Sequence, residues 1–230
     1  MGVDLDRRPA ESVQTVYISS CPECESPLVR KEGEAQHYCP NDVGCTPQII
    51  GRIQHYISRK ALDIEGLGGE TVALLVHEGL IRDYADLYEL TTDQIIHLDR
   101  MAEKSADNLV KGVQASKDVP FERVLFGLGI RYVGETVAKK LAKHYKSIEA
   151  LSKATLEDLE QVDEIGIKIA ESVVDFFRTE ANVQLVSRLI LYGLQLQLSE
   201  EALSNQTTQL EGLRFVVSGV FETVSRDELK

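Results

Sequence analysis

Four cysteines, Cys21, Cys24, Cys39 and Cys45, are the whole thiol content of the 230-residue chain and fall in the pattern Cys-x2-Cys-x14-Cys-x5-Cys. Two short loops that each deliver a pair of soft thiolates, with Pro22 and Pro40 beside ligand positions, supply what a closed tetrahedral Zn2+ site needs. With four protein ligands no position is left for water, so the expected role is structural, folding a segment too short for a core of its own. The competing use of these residues is two disulfides in a secreted domain. No signal peptide is legible and the rest of the chain is free of cysteine, which favours a reducing compartment and a metal. His37 stands two residues before Cys39 and offers a replacement ligand, although a surface histidine in a polar hairpin is the simpler reading.

A second set of residues is suited to binding anions. The blocks Gly66-Leu67-Gly68, Arg100-Met101-Ala102, Tyr132-Val133-Gly134 and Glu164-Ile165-Gly166 recur at intervals of 34, 32 and 32 residues. Four positions after each block comes Val72, Ala106, Ala138 or Ala170, and one turn further Leu75, Leu109, Leu141 or Val173. This spacing buries the same helix face in every copy. A repeated unit of this size cannot bury its apolar face alone, so an array of helix pairs is predicted, with the turns between helices as the functional element. A shift of 64 residues lays Thr91, Ile95, Leu98 and Ala106 over Thr155, Leu159, Val162 and Ala170; a shift of 66 lays Gly68, Val72 and Leu75 over Gly134, Ala138 and Leu141. The array is therefore a doubled pair. Thr91-x-x-Gln94 and Thr155-x-x-Asp158 have the form of capping boxes at the first helix of units two and four.

The pattern hydrophobic-Gly-x-x-x-Ala-x-x-Leu after a short capped helix resembles the helix-hairpin-helix DNA-binding motif. In such a turn glycine lets consecutive N–H groups form a concave nest, and the next helix adds its positive N-terminal end, so a DNA phosphate can be held. No base is read by these contacts. The resemblance implies phosphate contacts at Gly66, Gly68, Gly69, Gly134 and Gly166, with Lys104, Arg131, Thr136, Lys139 and Lys168 nearby. Close helix packing is the alternative use of the glycines. The second block carries Arg100 and Ala102 in place of glycine; because alanine is less tolerant of a left-handed turn, this copy is expected to be structural, with Lys104 as a compensating point charge. Tetratricopeptide and ankyrin arrays have similar periods, but their Trp/Tyr and Thr-Pro-Leu-His signatures are absent.

Taken in order, the finger, the segment Ile49-Ile50-Gly51-Arg52-Ile53, Asp63-Ile64-Glu65-Gly66-Leu67-Gly68 and Leu128-Gly129-Ile130-Arg131-Tyr132-Val133-Gly134 resemble the C-terminal half of bacterial NAD-dependent DNA ligases. Leu213 to Gly219 and Ser225-Arg226-Asp227-Glu228 look like the opening of a BRCT domain. The resemblance implies a mainly α fold of four tandem helix-hairpin-helix units. Residues 1–20 would be an extended or disordered lead, 21–58 the finger, 59–198 the array, 199–211 a polar linker and 212–230 the truncated start of the BRCT domain. It also implies nicked double-stranded DNA as partner, together with the adenylation and OB domains of the same parent chain. NAD and Mg2+ belong to that parent chemistry, the joining of a 5′-phosphate to a 3′-hydroxyl in replication and repair. The family's K-x-D-G adenylation motif is not found, so no catalytic residue is assigned, and a fragment that does not seal DNA by itself is expected.

Composition agrees with a mostly helical, core-forming protein: 43% of residues are hydrophobic and 6% aromatic. Strand is expected only near Val29 to Tyr38 and Phe215 to Val217. No run approaches the apolar length of a membrane span, and a cytoplasmic protein with no membrane partner is expected. The net charge of −12 opposes DNA binding, since binders of duplex DNA usually carry a basic footprint. The charges are segregated, however. Arg123, Arg131, Lys139, Lys140, Lys143, His144 and Lys146 gather in the third unit, whereas Glu157, Asp158, Glu160, Asp163 and Glu164 precede the fourth turn. Two other classes fit parts of the pattern: the hairpin region of a repair nuclease, or a protein-interaction array whose acidic faces bind a partner.

Overall fold

The computed structural model describes residues 9, 11–13, 15–30, 32–99 and 101–199. Ten α-helices are found there: α1 (Thr46–Ile57), α2 (Gly69–His77), α3 (Thr92–Ile95), α4 (Glu103–Ala115), α5 (Phe121–Gly127), α6 (Glu135–Tyr145), α7 (Ile148–Ser152), α8 (Leu156–Glu160), α9 (Ile167–Arg178) and α10 (Glu180–Leu191). The pairs α1/α2, α3/α4, α5/α6 and α8/α9 pack against each other, each around one of the four repeated blocks. The expected BRCT opening and most of the expected linker lie outside the described residues, as does Arg100.

The repeat works as its spacing implies. Val72, Ala106, Ala138 and Ala170 are fully buried, as are Leu75, Leu109 and Leu141, and Val173 is 1% exposed. In every copy this residue donates a helical hydrogen bond to the carbonyl of the last residue of its block: Val72 N to Gly68 O at 3.0 Å, Ala106 N to Ala102 O at 3.0 Å, Ala138 N to Gly134 O at 2.9 Å and Ala170 N to Gly166 O at 3.1 Å. The middle residues Leu67, Val133 and Ile165 are buried, so each turn is plugged into the core by one apolar side chain.

One hydrophobic cluster runs from Ile53 to Leu196. At its centre Tyr56 stacks on Tyr84 with ring centroids 4.2 Å apart. The Tyr56 and Tyr88 hydroxyls lie 2.8 Å apart, Tyr88 reaches Ser116 Oγ at 3.0 Å, and Ser116 donates to Val113 O at 2.7 Å. The chain of buried hydroxyls thus ends on a carbonyl, and its three members are all partnered. Helix α10 is fastened to the first half by Arg188, whose guanidinium meets Asp83 at 2.9 Å, Asp86 at 2.5 Å and Glu89 at 3.0 Å. The chain then returns to pair Ser147 with Gln197.

The β-hairpin expected at Val29 to Tyr38 is smaller than a hairpin of strands. Val29 and Tyr38 exchange two N–H···O bonds of 2.8 Å as one isolated antiparallel bridge, and Ser20 and Pro27 form another. The metal-ligand loops on either side claim the remaining backbone groups: Cys21 N donates to Ser26 O and Cys45 N to Asn41 O. Among the described residues no helix is long and apolar enough to cross a membrane.

Candidate nucleic-acid interface and metal centre

The turns share one backbone course, and it differs from the one expected in where the left-handed residue sits. The last residue of each block is the N-cap of the following helix and is extended: φ is −96° at Gly68, −87° at Ala102, −79° at Gly134 and −87° at Gly166. Any residue adopts these angles. In the three blocks whose first residue is described, that residue is the left-handed one, with φ of +79° at Gly66, +63° at Tyr132 and +64° at Glu164. The premise that alanine at position 102 must take a left-handed angle is corrected, because Ala102 has the same extended angles as the glycines. Two non-glycine residues instead carry the left-handed strain, at a cost of roughly 1 kcal/mol or more each.

Packing separates the predicted glycines into two groups. At Gly66 a Cβ would lie 3.3 Å from the backbone N of Leu109, and at Gly69 it would lie 2.8 Å from Gln54 Nε2. Conformation and close packing both account for glycine at Gly66, whereas at Gly69 the contact is the far end of an exposed glutamine side chain that can swing aside, so packing does not demand glycine there. At Gly68, Gly134 and Gly166 a Cβ would meet nothing within 4 Å, and the dihedral angles do not call for glycine. A Cβ at these three positions would project into open space. Among the described residues no side chain caps the helices that start at Gly68, Ala102, Gly134 or Gly166. Their first-turn N–H groups are the orphan donors of a helix start and carry its positive end.

The charged residues are distributed unequally around these starts. Lys104 and Lys168 are exposed, as is Thr136, and no ion pair engages either lysine among the described residues. Lys139 makes an exposed i,i+4 pair with Glu135 at 3.4 Å, a contact weak enough to be exchanged for a phosphate. Lys140 is committed, at 2.8 Å from Glu164 and 3.2 Å from Asp163, and it neutralises part of the acidic stretch beside the fourth turn. Arg131 is committed as well: its Nη2 lies 2.9 Å from both oxygens of Glu34 and 3.1 Å from Tyr38 Oη, and its guanidinium stacks between the rings of Tyr38 and Tyr132. It joins the third turn to the finger and does not stand free beside it. Hydrogen bonds to Glu34, from Tyr38 foremost and then Tyr132 and Arg131, hold its carboxyl below the usual range. Glu34 and Tyr132 were not singled out as functional residues from sequence, since only the tertiary fold brings them together.

In the finger the four Sγ atoms all lie within 4.8 Å of one another. Cys21 and Cys45 are 3.9 Å apart and Cys24 and Cys39 3.4 Å apart. Tetrahedral Zn–S bonds of ~2.3 Å place sulfurs ~3.8 Å apart, so the four-thiol set fits the ion. Without regard to a cation, hydrogen bonding from Ser26 draws the Cys24 thiol down to about 6 while burial pushes Cys39 up to about 12; a bound Zn2+ overrides this asymmetry by deprotonating its ligands. His37 is not in the cluster and stacks on Tyr17 with centroids 5.1 Å apart. Cys45 is also the N-cap of α1, and Gln48 ties that helix to the second ligand loop through Cys39 O and Asn41 O at 3.1 and 3.2 Å. Finger and array are thus continuous through one helix.

A four-cysteine finger leading through α1 into helix pairs with uncapped, open starts defines a zinc-finger and helix-hairpin-helix protein. Residues 20–46 match the family model of the NAD-dependent DNA ligase C4 zinc finger domain, residues 58–115 that of a SAM-like helix-hairpin-helix tandem, and residues 123–186 that of a helix-hairpin-helix motif. The chain is 66% identical over its whole length to a DNA ligase of Christiangramia forsetii, 65% to one of Flavobacterium psychrophilum and 57% to one of Bacteroides fragilis. It spans about a third of these relatives, 35%, 34% and 34% of their lengths. By this likeness the chain belongs to the DNA ligase family, as the counterpart of that third.

Proposed function

We propose that this chain is the DNA-gripping region of an NAD-dependent DNA ligase, holding nicked duplex DNA without regard to sequence. The observation that carries the reading is the trio Gly68, Gly134 and Gly166. Neither dihedral angle nor packing demands glycine at these helix starts, and no side chain caps them. A phosphate oxygen can approach the first-turn N–H groups there and receive charge-assisted hydrogen bonds aided by the helix dipole. Ala102 offers the same backbone with a methyl at its rim. Lys104, Thr136, Lys139 and Lys168 are near enough in sequence to the starts to add contacts, and Arg131 acts through the turn it stabilises. Because donors are presented by the backbone, the grip does not require a basic surface, which reconciles it with the net charge of −12.

Cys21, Cys24, Cys39 and Cys45 hold a structural Zn2+ in this reading, and the finger sets the angle between α1 and the third turn. The proposed domain limits are 21–58 for the finger and 59–198 for a four-unit array, with the BRCT opening at 212–230. NAD and Mg2+ serve the adenylation and OB domains of the same parent chain, in a cytoplasmic enzyme of replication and repair, and this region contributes orientation and encirclement of the nick. The family likeness speaks against the nuclease and protein-array alternatives. Fluorescence anisotropy of a labelled nicked duplex, titrated from low to physiological salt, tests the proposal. Binding that weakens steeply with salt and ignores base sequence is expected; no binding at the lowest salt would leave the protein-partner alternative.

A further inference from the structure

The left-handed residue of each described turn is held in a different way. In the first turn Gly66 adopts φ of +79° and needs no help. In the fourth, Glu164 is tied by Lys140 of α6 at 2.8 Å. In the third, Tyr132 donates its hydroxyl to Glu34 Oε1 at 3.0 Å, and its neighbour Arg131 meets both oxygens of the same carboxylate at 2.9 Å. Glu34 comes from the finger, 98 residues earlier than Tyr132. Its side chain is 23% exposed, so it is largely enclosed by the groups it holds.

We propose that Glu34 is a positioning residue for the DNA grip of the third turn. By holding Tyr132 and Arg131 together, the finger presets the strained turn that delivers Gly134 and the start of α6 to a phosphate. Lys140, on that same helix, passes the constraint on to Glu164 and so to the start at Gly166. The finger therefore orders two helix starts with which it need not share a ligand, and binding is improved because the turns need not be ordered when DNA arrives. This inference rests on the reading that Gly134 and Gly166 grip DNA.

The sign of one substitution separates positioning from plain electrostatics. Glu34 is an anion, so removing it lowers repulsion toward a polyanion and frees Arg131; on charge alone E34A binds DNA more tightly. Positioning requires the opposite. The experiment is nicked-duplex anisotropy with the whole chain as wild type, E34A, E34Q, Y132G, E34A/Y132G and G134V, each checked for zinc content and helical circular dichroism. E34A is expected to weaken binding about fivefold, the scale of re-ordering one or two side chains. E34Q, which keeps an acceptor for Tyr132 but no charge for Arg131, is expected to fall between E34A and wild type, and it carries the comparison should E34A fold poorly. E34A/Y132G is expected to recover most of the loss, since glycine takes the left-handed angle without strain. Equal or tighter binding by E34A, or no recovery with Y132G, overturns the positioning role. If G134V also binds like wild type, the grip at the third turn falls and this inference falls with it; if G134V binds weakly while E34A does not, only the positioning role is lost.

Discussion

Two kinds of helix start occur in this array, and they treat the same backbone groups differently. Helices α3, α7 and α8 begin at Thr91, Ser147 and Thr155 and satisfy donors internally. Thr91 N reaches Gln94 Oε1 at 2.9 Å, Ser147 Oγ accepts from Ala150 N at 3.2 Å, and Thr155 Oγ1 accepts from Asp158 N at 3.2 Å. Helices α2, α4, α6 and α9 begin at Gly or Ala and have no side-chain cap; α1, α5 and α10 also lack one but begin at Cys45, Pro120 and Thr179, outside the repeated blocks. A serine or threonine at the Gly and Ala starts would satisfy an N–H and stabilise the helix. Its absence at four related positions, three with open space over the missing Cβ, gives up local stability and leaves donors for a ligand. On the proposed reading, the anion site lies in what the sequence omits.

Metal removal has the largest expected effect and bounds the comparison from outside. Structural Zn2+ contributes on the order of 10 kcal/mol to folding a finger, so C21S or a strong chelator is expected to unfold residues before α1. Because no residue before α1 belongs to the core cluster, helical circular dichroism is expected to persist. Nicked-duplex affinity is expected to drop by about as much as in E34A, since Glu34 goes with the finger. Collapse of the helices together with the finger would show that the two share one core.

Converting an open start into a capped one attacks the comparison directly. G134D/G166D supplies each start with its own carboxylate, so helix stability is expected to rise by a few tenths of a kcal/mol per site. Duplex affinity is expected to fall more than tenfold, because each phosphate loses charge-assisted bonds worth roughly 1.5–3 kcal/mol and meets an anion. Thermal melting and anisotropy should thus move in opposite directions; parallel changes would make the open starts a packing feature. The converse change, T155A, is expected to cost about 1 kcal/mol of stability while leaving affinity unaltered, as measured by the same two methods. A102G should have the smallest effect: the backbone angles already match those of the glycines, so affinity is expected to rise about twofold at most, with stability changed by only a few tenths of a kcal/mol.

Much of this was legible because the repeat superposes one helix face on itself. Val72, Ala106, Ala138 and Ala170 are buried as their spacing implies, and the cysteine spacing anticipates the cluster that forms. The turn itself was misread by one detail. Sequence attaches conformational freedom to glycine, yet the left-handed residue in two turns is Tyr132 or Glu164, and the third-position glycines are extended. The role of Arg131 was hidden for a different reason. Its partner Glu34 lies 97 residues away, in a finger whose orientation no local pattern encodes, so a basic residue beside a turn looked available for DNA. Likewise nothing in the repeat announces that Arg188 fastens α10 to Asp83, Asp86 and Glu89.

The central claim is that the starts at Gly68, Ala102, Gly134 and Gly166, and not those at Thr91, Ser147 and Thr155, receive phosphate. The most direct measurement is an amide chemical-shift titration of the 15N-labelled chain with a nicked duplex. The largest perturbations are expected at the first-turn amides following Gly68, Ala102, Gly134 and Gly166, with those following Thr91, Ser147 and Thr155 scarcely moved. Shifts of equal size at the capped starts, or shifts confined to lysine-rich faces away from the turns, would contradict it.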